Sequence, residues 1–259
     1  MHERLGNALV WGAGSEEDQD AAERAFSRGI ELQPYNSILY LRRGKLRFRR
    51  GRFVDAEADF SNGAKYGHFT LPIVPVVGGL NASLHKLSLY VARTTIGEFY
   101  LRRAAARFAQ KKWSMVVDDI NWVEENQHRA AEWKRRNWPG PEGEPFRLGV
   151  WELRTRGRAL FEEGNFEQAF QDLREAADLW ADPAVKDVLE DLKPLADMPG
   201  AREARGGEML ALAALAARRS GKAEAAAQAV RDARAAYAAA LSKTPTMRAW
   251  TEAMERLAQ

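Results

Sequence analysis

The sequence predicts an all-α protein built from repeated helix–turn–helix units stacked into a superhelix. Three observations carry that prediction. A pattern of small and aromatic residues recurs along the chain at constant spacing. Each copy carries a glycine or another turn residue where two helical stretches meet. The ten prolines and twenty glycines in 259 residues include dense clusters between copies, where they mark boundaries.

The pattern is clearest in two stretches. Gly44 is followed by Phe48, Gly51, Phe53, Ala56 and Phe60, and Gly157 by Phe161, Gly164, Phe166, Ala169 and Leu173. The successive steps are four, three, two, three and four residues in both. A third copy runs Ala104, Phe108, Lys111, Trp113, Val116, Ile120, and a looser fourth keeps Ala214, Gly221, Ala226 and Val230. Four-residue steps place side chains on one helical face. The small residue belongs where the first helix (A) closely approaches the second (B). Gly51 and Gly164 suit the left-handed residue that ends a helix. Upstream, Ala22 and Phe26 keep the spacing of Ala56 and Phe60, so they belong to the second helix of an earlier copy that ends at Pro34. Its first helix is expected at Leu5–Ala8, with the acidic stretch Ser15–Asp20 lengthening the turn between them.

These residues resemble the tetratricopeptide repeat (TPR), a helix–turn–helix unit, over roughly half of the chain. The step from Ala22 to Ala56, and from Phe26 to Phe60, equals the family's period. The resemblance implies a TPR-like α-solenoid in which A helices line a concave groove that holds partner segments and B helices form the convex back.

Two interruptions divide the expected solenoid. Ala104 lies well beyond one period from Gly44, so the excess is an insertion. Residues 72–95 are read as an inserted helix in preference to a functional loop, because Leu80, Leu84, Leu87 and Val91 recur at three- and four-residue steps. Residues 137–149 are read as a linker, rich in proline and glycine from Asn137 to Pro145. The expected organisation is N-terminal repeats over 1–136, the linker, and C-terminal repeats over 150–259. The latter include a short helix near Val188 and Leu192, and a capping helix from Met247. The B helix starting at Trp113 is expected to run to Arg136, with Trp113, Trp122 and Trp133 too irregularly spaced for all to face one core.

Composition narrows function. A hydrophobic share of 46% and a charged share of 29% suit a folded soluble chain. There is no cysteine, so disulfides, thiolate nucleophiles and cysteine zinc sites are ruled out. His2, His68, His85 and His128 are scattered, without a second ligand type at helical spacing. No metal-binding or phosphate-binding signature occurs. Asp118-Asp119, Glu124-Glu125 and Glu162-Glu163 are adjacent pairs, which point about 100° apart on a helix and do not form a facing acid and base. The expectation is a non-enzyme with no cofactor. Met1–Trp11 has an early acid and a short apolar run, unlike a secretory leader, and the most apolar stretch is too short to span a bilayer. The reading is a cytoplasmic protein with no membrane insertion.

The strongest charge feature is Arg42, Arg43, Lys45, Arg47, Arg49, Arg50 and Arg52, without an acid among them. Such a run repels itself, so acids of a partner or of this chain, Glu16-Glu17-Asp18 among them, are expected to relieve it. Arg102, Arg103, Arg107, Lys111 and Lys112 form a second basic cluster. By the register of the resemblance, Leu41, Lys45, Phe48 and Arg49 face the groove, followed by Leu101 and Phe108, then Arg154 and Arg158. The expected function is a non-catalytic scaffold, adaptor or assembly factor that binds an acidic or mixed peptide, or a helix of a partner of acidic character, there. The alternative is a nucleic-acid-binding or regulatory protein using the basic A helices as a phosphate track. The carboxylate-gripping clamp of chaperone-tail TPR domains is not transferred, since its lysine would fall at Glu3.

Overall fold

The computed structural model describes residues 15–67, 96–137, 147–185 and 199–257, with side chains from 130 to 137 excepted. The expected first helix at Leu5–Ala8, the inserted helix, most of the linker, the stretch near Val188 and Leu192, and the Trp133 side chain lie outside the described residues.

Among the described residues there are ten helices and no strand. They are α1 (Glu16–Leu32), α2 (Ser37–Arg49), α3 (Phe53–Tyr66), α4 (96–109), α5 (Trp113–Asn137), α6 (Val150–Glu162), α7 (Phe166–Trp180), α8 (Ala201–Arg219), α9 (Ala223–Lys243) and α10 (Arg248–Arg256). The chain divides into two compact units, residues 1–147 and 148–259. In the first, α2 packs on α1 and α3; in the second, α6 to α10 pack in sequence. No described helix is long and apolar enough to cross a membrane.

The start of α1 differs from the expected long turn. Ser15 caps the helix by accepting from the Asp18 amide, and Glu16, Glu17 and Asp18 form its first turn. A serine cap and carboxylates at the positive end of the helix dipole favour helix over loop there.

All four A–B turns among the described residues have one backbone design. In the first, the Gly51 amide donates to the Phe48 carbonyl at 3.0 Å and the Arg52 amide to Arg47 at 2.9 Å. The same pair of bonds recurs from Lys111 and Lys112, from Gly164 and Asn165, and from Gly221 and Lys222. This is the Schellman closure, which satisfies the last helical carbonyls through a left-handed residue. Gly51, Gly164 and Gly221 supply it at φ of 74°, 84° and 78°, whereas Lys111 adopts it as a side-chain-bearing residue at 59°. Aromatic pairs brace three of the turns: Phe48 on Phe53, Phe108 on Trp113 and Phe161 on Phe166, with ring centroids 5.2–5.4 Å apart in edge-on geometry.

Close approach of the two helices explains the small residues. A Cβ on Gly44 would stand 2.7 Å from the Phe60 ring, and one on Gly157 2.8 Å from Leu173 Cγ. Ala56, Ala104, Ala169, Ala214 and Ala226 are buried at the matching places. Trp113 pairs with Phe108, while Trp122 stacks on Tyr100 with centroids 3.8 Å apart. The end of the second unit is closed by α10, whose Trp250 joins a cluster with Tyr237 and Ala240.

Candidate partner-binding face

At about 100° per residue, α2 carries its basic residues on two sides. Arg43, Arg47 and Arg50 lie on one; Arg42, Lys45 and Arg49 lie on the other.

The first side is neutralised within the unit. Arg43 grips Asp59 of α3 with Nε and Nη2, the shortest contact being 2.7 Å, and donates to Ser27 of α1 at 3.0 Å. Arg47 bridges Asp59 and Glu23 at 2.9 Å each. Arg50 pairs with Asp20 at 2.6 Å and lies 3.9 Å from Glu16, while Arg52 reaches both Glu23 and Asp55. The acids that relieve this side of the basic run are therefore on α1 and α3, with Glu16 and Asp20 of the acidic stretch among them.

The next copy repeats the arrangement. Arg103 grips Asp119 with a shortest contact of 2.6 Å, and Arg107 bridges Asp119 at 2.8 Å and Glu57 at 2.9 Å. Lys112 also meets Glu57, at 2.7 Å. In the second unit Arg156 pairs with Asp172 at 2.7 Å. Each Arg–Asp pair spans sixteen residues, from the residue before the small helix-contact position to the residue before the core residue of helix B. That recurrence stands in the sequence beside the repeat pattern, but it is invisible when charges are examined helix by helix.

The local fields differ between these carboxylates. Burial tends to raise the Glu57 carboxyl, but hydrogen bonds from Lys112, Arg107 and Gln110 outweigh it and hold the group below the usual range. Glu23 is likewise lowered against burial by Arg47 and Arg52. For the almost fully enclosed Asp59 and Asp119, burial pushes the carboxyl upward against the arginines that face it.

The predicted groove residues fall in several environments. Leu41 and Phe48 are partly buried against the cluster of Ala56, Phe60, Ala64, Phe99 and Ala106, so they contribute to repeat packing. Lys45 pairs with Glu98 of α4 at 3.0 Å, a contact between α2 and α4. Arg49 is exposed, with no acid in ion-pair contact among the described residues. Leu101 is half-buried on α4, and Phe108 is held against Trp113. Arg154 and Arg158 belong to the second unit; Arg154 is half-buried, and Arg158 is exposed and pairs with Glu162 on its own helix.

Three residues of this face escape the groove register. Arg42 has a buried Nε without a hydrogen-bond acceptor among the described residues. Arg102 precedes Ala104 by the same two positions that separate Arg42 from Gly44, and it pairs with Glu98 at 3.5 Å. Glu98 thus contacts both Lys45 and Arg102. The shared offset from the small residue is the sequence signal for Arg102, but the cross-helix role of Glu98 has no local signature.

Among the described residues no group of three or more histidine or carboxylate side chains could hold a metal. No protein-family model and no curated protein matches the chain. Among solved structures, YrrB, a TPR protein with an unusual peptide-binding site, is similar over 98% of this chain and 90% of its own, at 10% identity and a TM-score of 0.53. The likeness is one of architecture, and this chain has a TPR-like helical-repeat fold.

Proposed function

We propose that the protein is a non-catalytic scaffold or adaptor that holds an acidic peptide or helix on the A-helix face of its first unit. Arg49 carries the reading: it is an exposed cation with no acid beside it among the described residues, while Arg43, Arg47 and Arg50 on the other side of α2 are paired. Arg42 and Lys45 extend the same face, and Leu41, Phe48, Leu101 and Phe108 give it an apolar base. In the second unit Arg154 and Arg158 are the corresponding candidates. The peptide-binding site ascribed to YrrB supports a protein partner for this fold. The pairing of Arg103 and Arg107 as well weighs against a phosphate track, which draws its affinity from cations able to meet the nucleic-acid backbone.

A peptide array offering acidic, neutral and basic segments tests this reading. The wild-type chain should select acidic peptides. Arg49→Glu should weaken them roughly tenfold, since it removes a charge-assisted contact and adds repulsion. Arg24→Glu, at an exposed position on α1, should have little effect. Equal losses from both variants, or selection without regard to acidity, would reject the assignment.

A further inference from the structure

Arg42, Lys45 and Arg49 lie on one side of α2, and Glu98 is the only acid among the described residues of α2 and α4. It sits between the two helices, 3.0 Å from Lys45 Nζ and 3.5 Å from Arg102, and remains 39% exposed. The other carboxylates bound to these helices' arginines are held differently. Asp59 and Asp119 retain only 2% exposure and are each gripped by two arginines. Glu98 makes looser contacts at a place that solvent reaches.

Resting on the function proposed above, we infer that Glu98 is an internal competitor, a carboxylate that occupies the acidic-partner site of the free protein and is displaced when a partner's carboxylate meets Lys45. Charge complementarity identifies the occupant. Arg42, Lys45 and Arg49 outnumber Glu98 on this face, so an incoming acidic peptide is attracted while its contact at Lys45 is already occupied. A half-exposed ion pair is weak, because solvent screens it, so a peptide carrying several carboxylates can displace it. Breaking the pair also leaves Glu98 free to turn into water, which a nearly enclosed carboxylate could not do without strain. The arrangement lowers affinity for a single stray carboxylate and favours ligands that engage Arg42 or Arg49 at the same time.

Fluorescence anisotropy of a labelled oligoglutamate tests this directly on the full chain, with an oligolysine and a single-stranded oligonucleotide as comparators. Glu98→Gln should tighten oligoglutamate binding about fivefold, because the internal pair and its repulsion of the ligand are both removed. Lys45→Gln should weaken binding in the wild type and erase most of the Glu98→Gln gain. Thermal melts close to that of wild type would show that the variants are folded. Unchanged or weaker binding by folded Glu98→Gln, while Arg49→Gln still loses affinity, would overturn the competitor role and leave the acidic-partner reading standing. Failure of every protein to bind oligoglutamate, or preference for the oligonucleotide, would overturn both.

Discussion

The copy containing α2 and α3 and the copy containing α8 and α9 make the same turn from different chemistry. In the first, Arg43 and Asp59 meet across the helix pair. At the matching positions of the last copy stand Ala213 and Ala229, both fully buried. Both copies retain the Schellman hydrogen bonds and a left-handed glycine. The last copy also lacks the aromatic brace, since Arg218 and Ala223 occupy the places of Phe48 and Phe53. The helix–turn–helix geometry therefore follows from small contact residues and a closed turn. The ionic pair adds a partner-specific contact, because it joins one helix to particular acids on its neighbours. A buried pair is not by that fact a source of net stability, but removing one member leaves a charge unmet.

This contrast can be broken most severely at Asp59. Asp59→Ala should lower stability by about 3–5 kcal/mol, as it leaves Arg43 and Arg47 without their shared acceptor. The double variant with Arg43→Ala should lose less than the two single losses added together. In the last copy Ala229→Asp should be strongly destabilising by burying a carboxylate with no cation, and Ala213→Arg should recover part of the loss. Urea titrations followed by circular dichroism measure all of these. Additive losses in both copies would mean that the pair contributes no specific contact.

Glu57 gives a milder test, sharpened by pH. An unfolded glutamate titrates near about 4.3, and the folded carboxyl is held lower. Its ionised form therefore stabilises the fold above about pH 4.3, and that contribution is lost as pH falls through the folded value. The advantage of wild type over Glu57→Gln should be full at neutral pH and shrink below about pH 4.3. An advantage constant across the acid range would assign the effect to packing. The smallest change is at Lys111, whose left-handed backbone is costly for a residue with a Cβ. Lys111→Gly should stabilise the first unit by up to ~1 kcal/mol, and Gly164→Ala should destabilise the second by a similar amount. Thermal melts that move in the opposite directions would show that another contact outweighs backbone conformation.

The repeat is legible because its constraints are local. Gly44 and Phe60, or Gly157 and Leu173, meet within a single helix pair, so their separation along the chain is constant and the pattern repeats with it. The cap at Ser15 is less legible, since the acids after it read equally as an inserted turn. Only the observed helix shows that the serine followed by acids is a start signal. The candidate face is partly legible. Helical register places Lys45 and Arg49, but it does not reveal that Leu41 and Phe48 pack into the repeat core.

By itself, then, the sequence determined the helix pairs, their turns and the positions where they approach closely, because those depend on residues a few turns apart. Tertiary structure decided which charges remain available. Arg47 finds Glu23 on the helix before its own, and Lys45 finds Glu98 on α4, beyond the whole of α3. Packing brings those helices alongside. Ionic attraction depends on distance through space and on exclusion of water, and neither can be read from the composition of one helix.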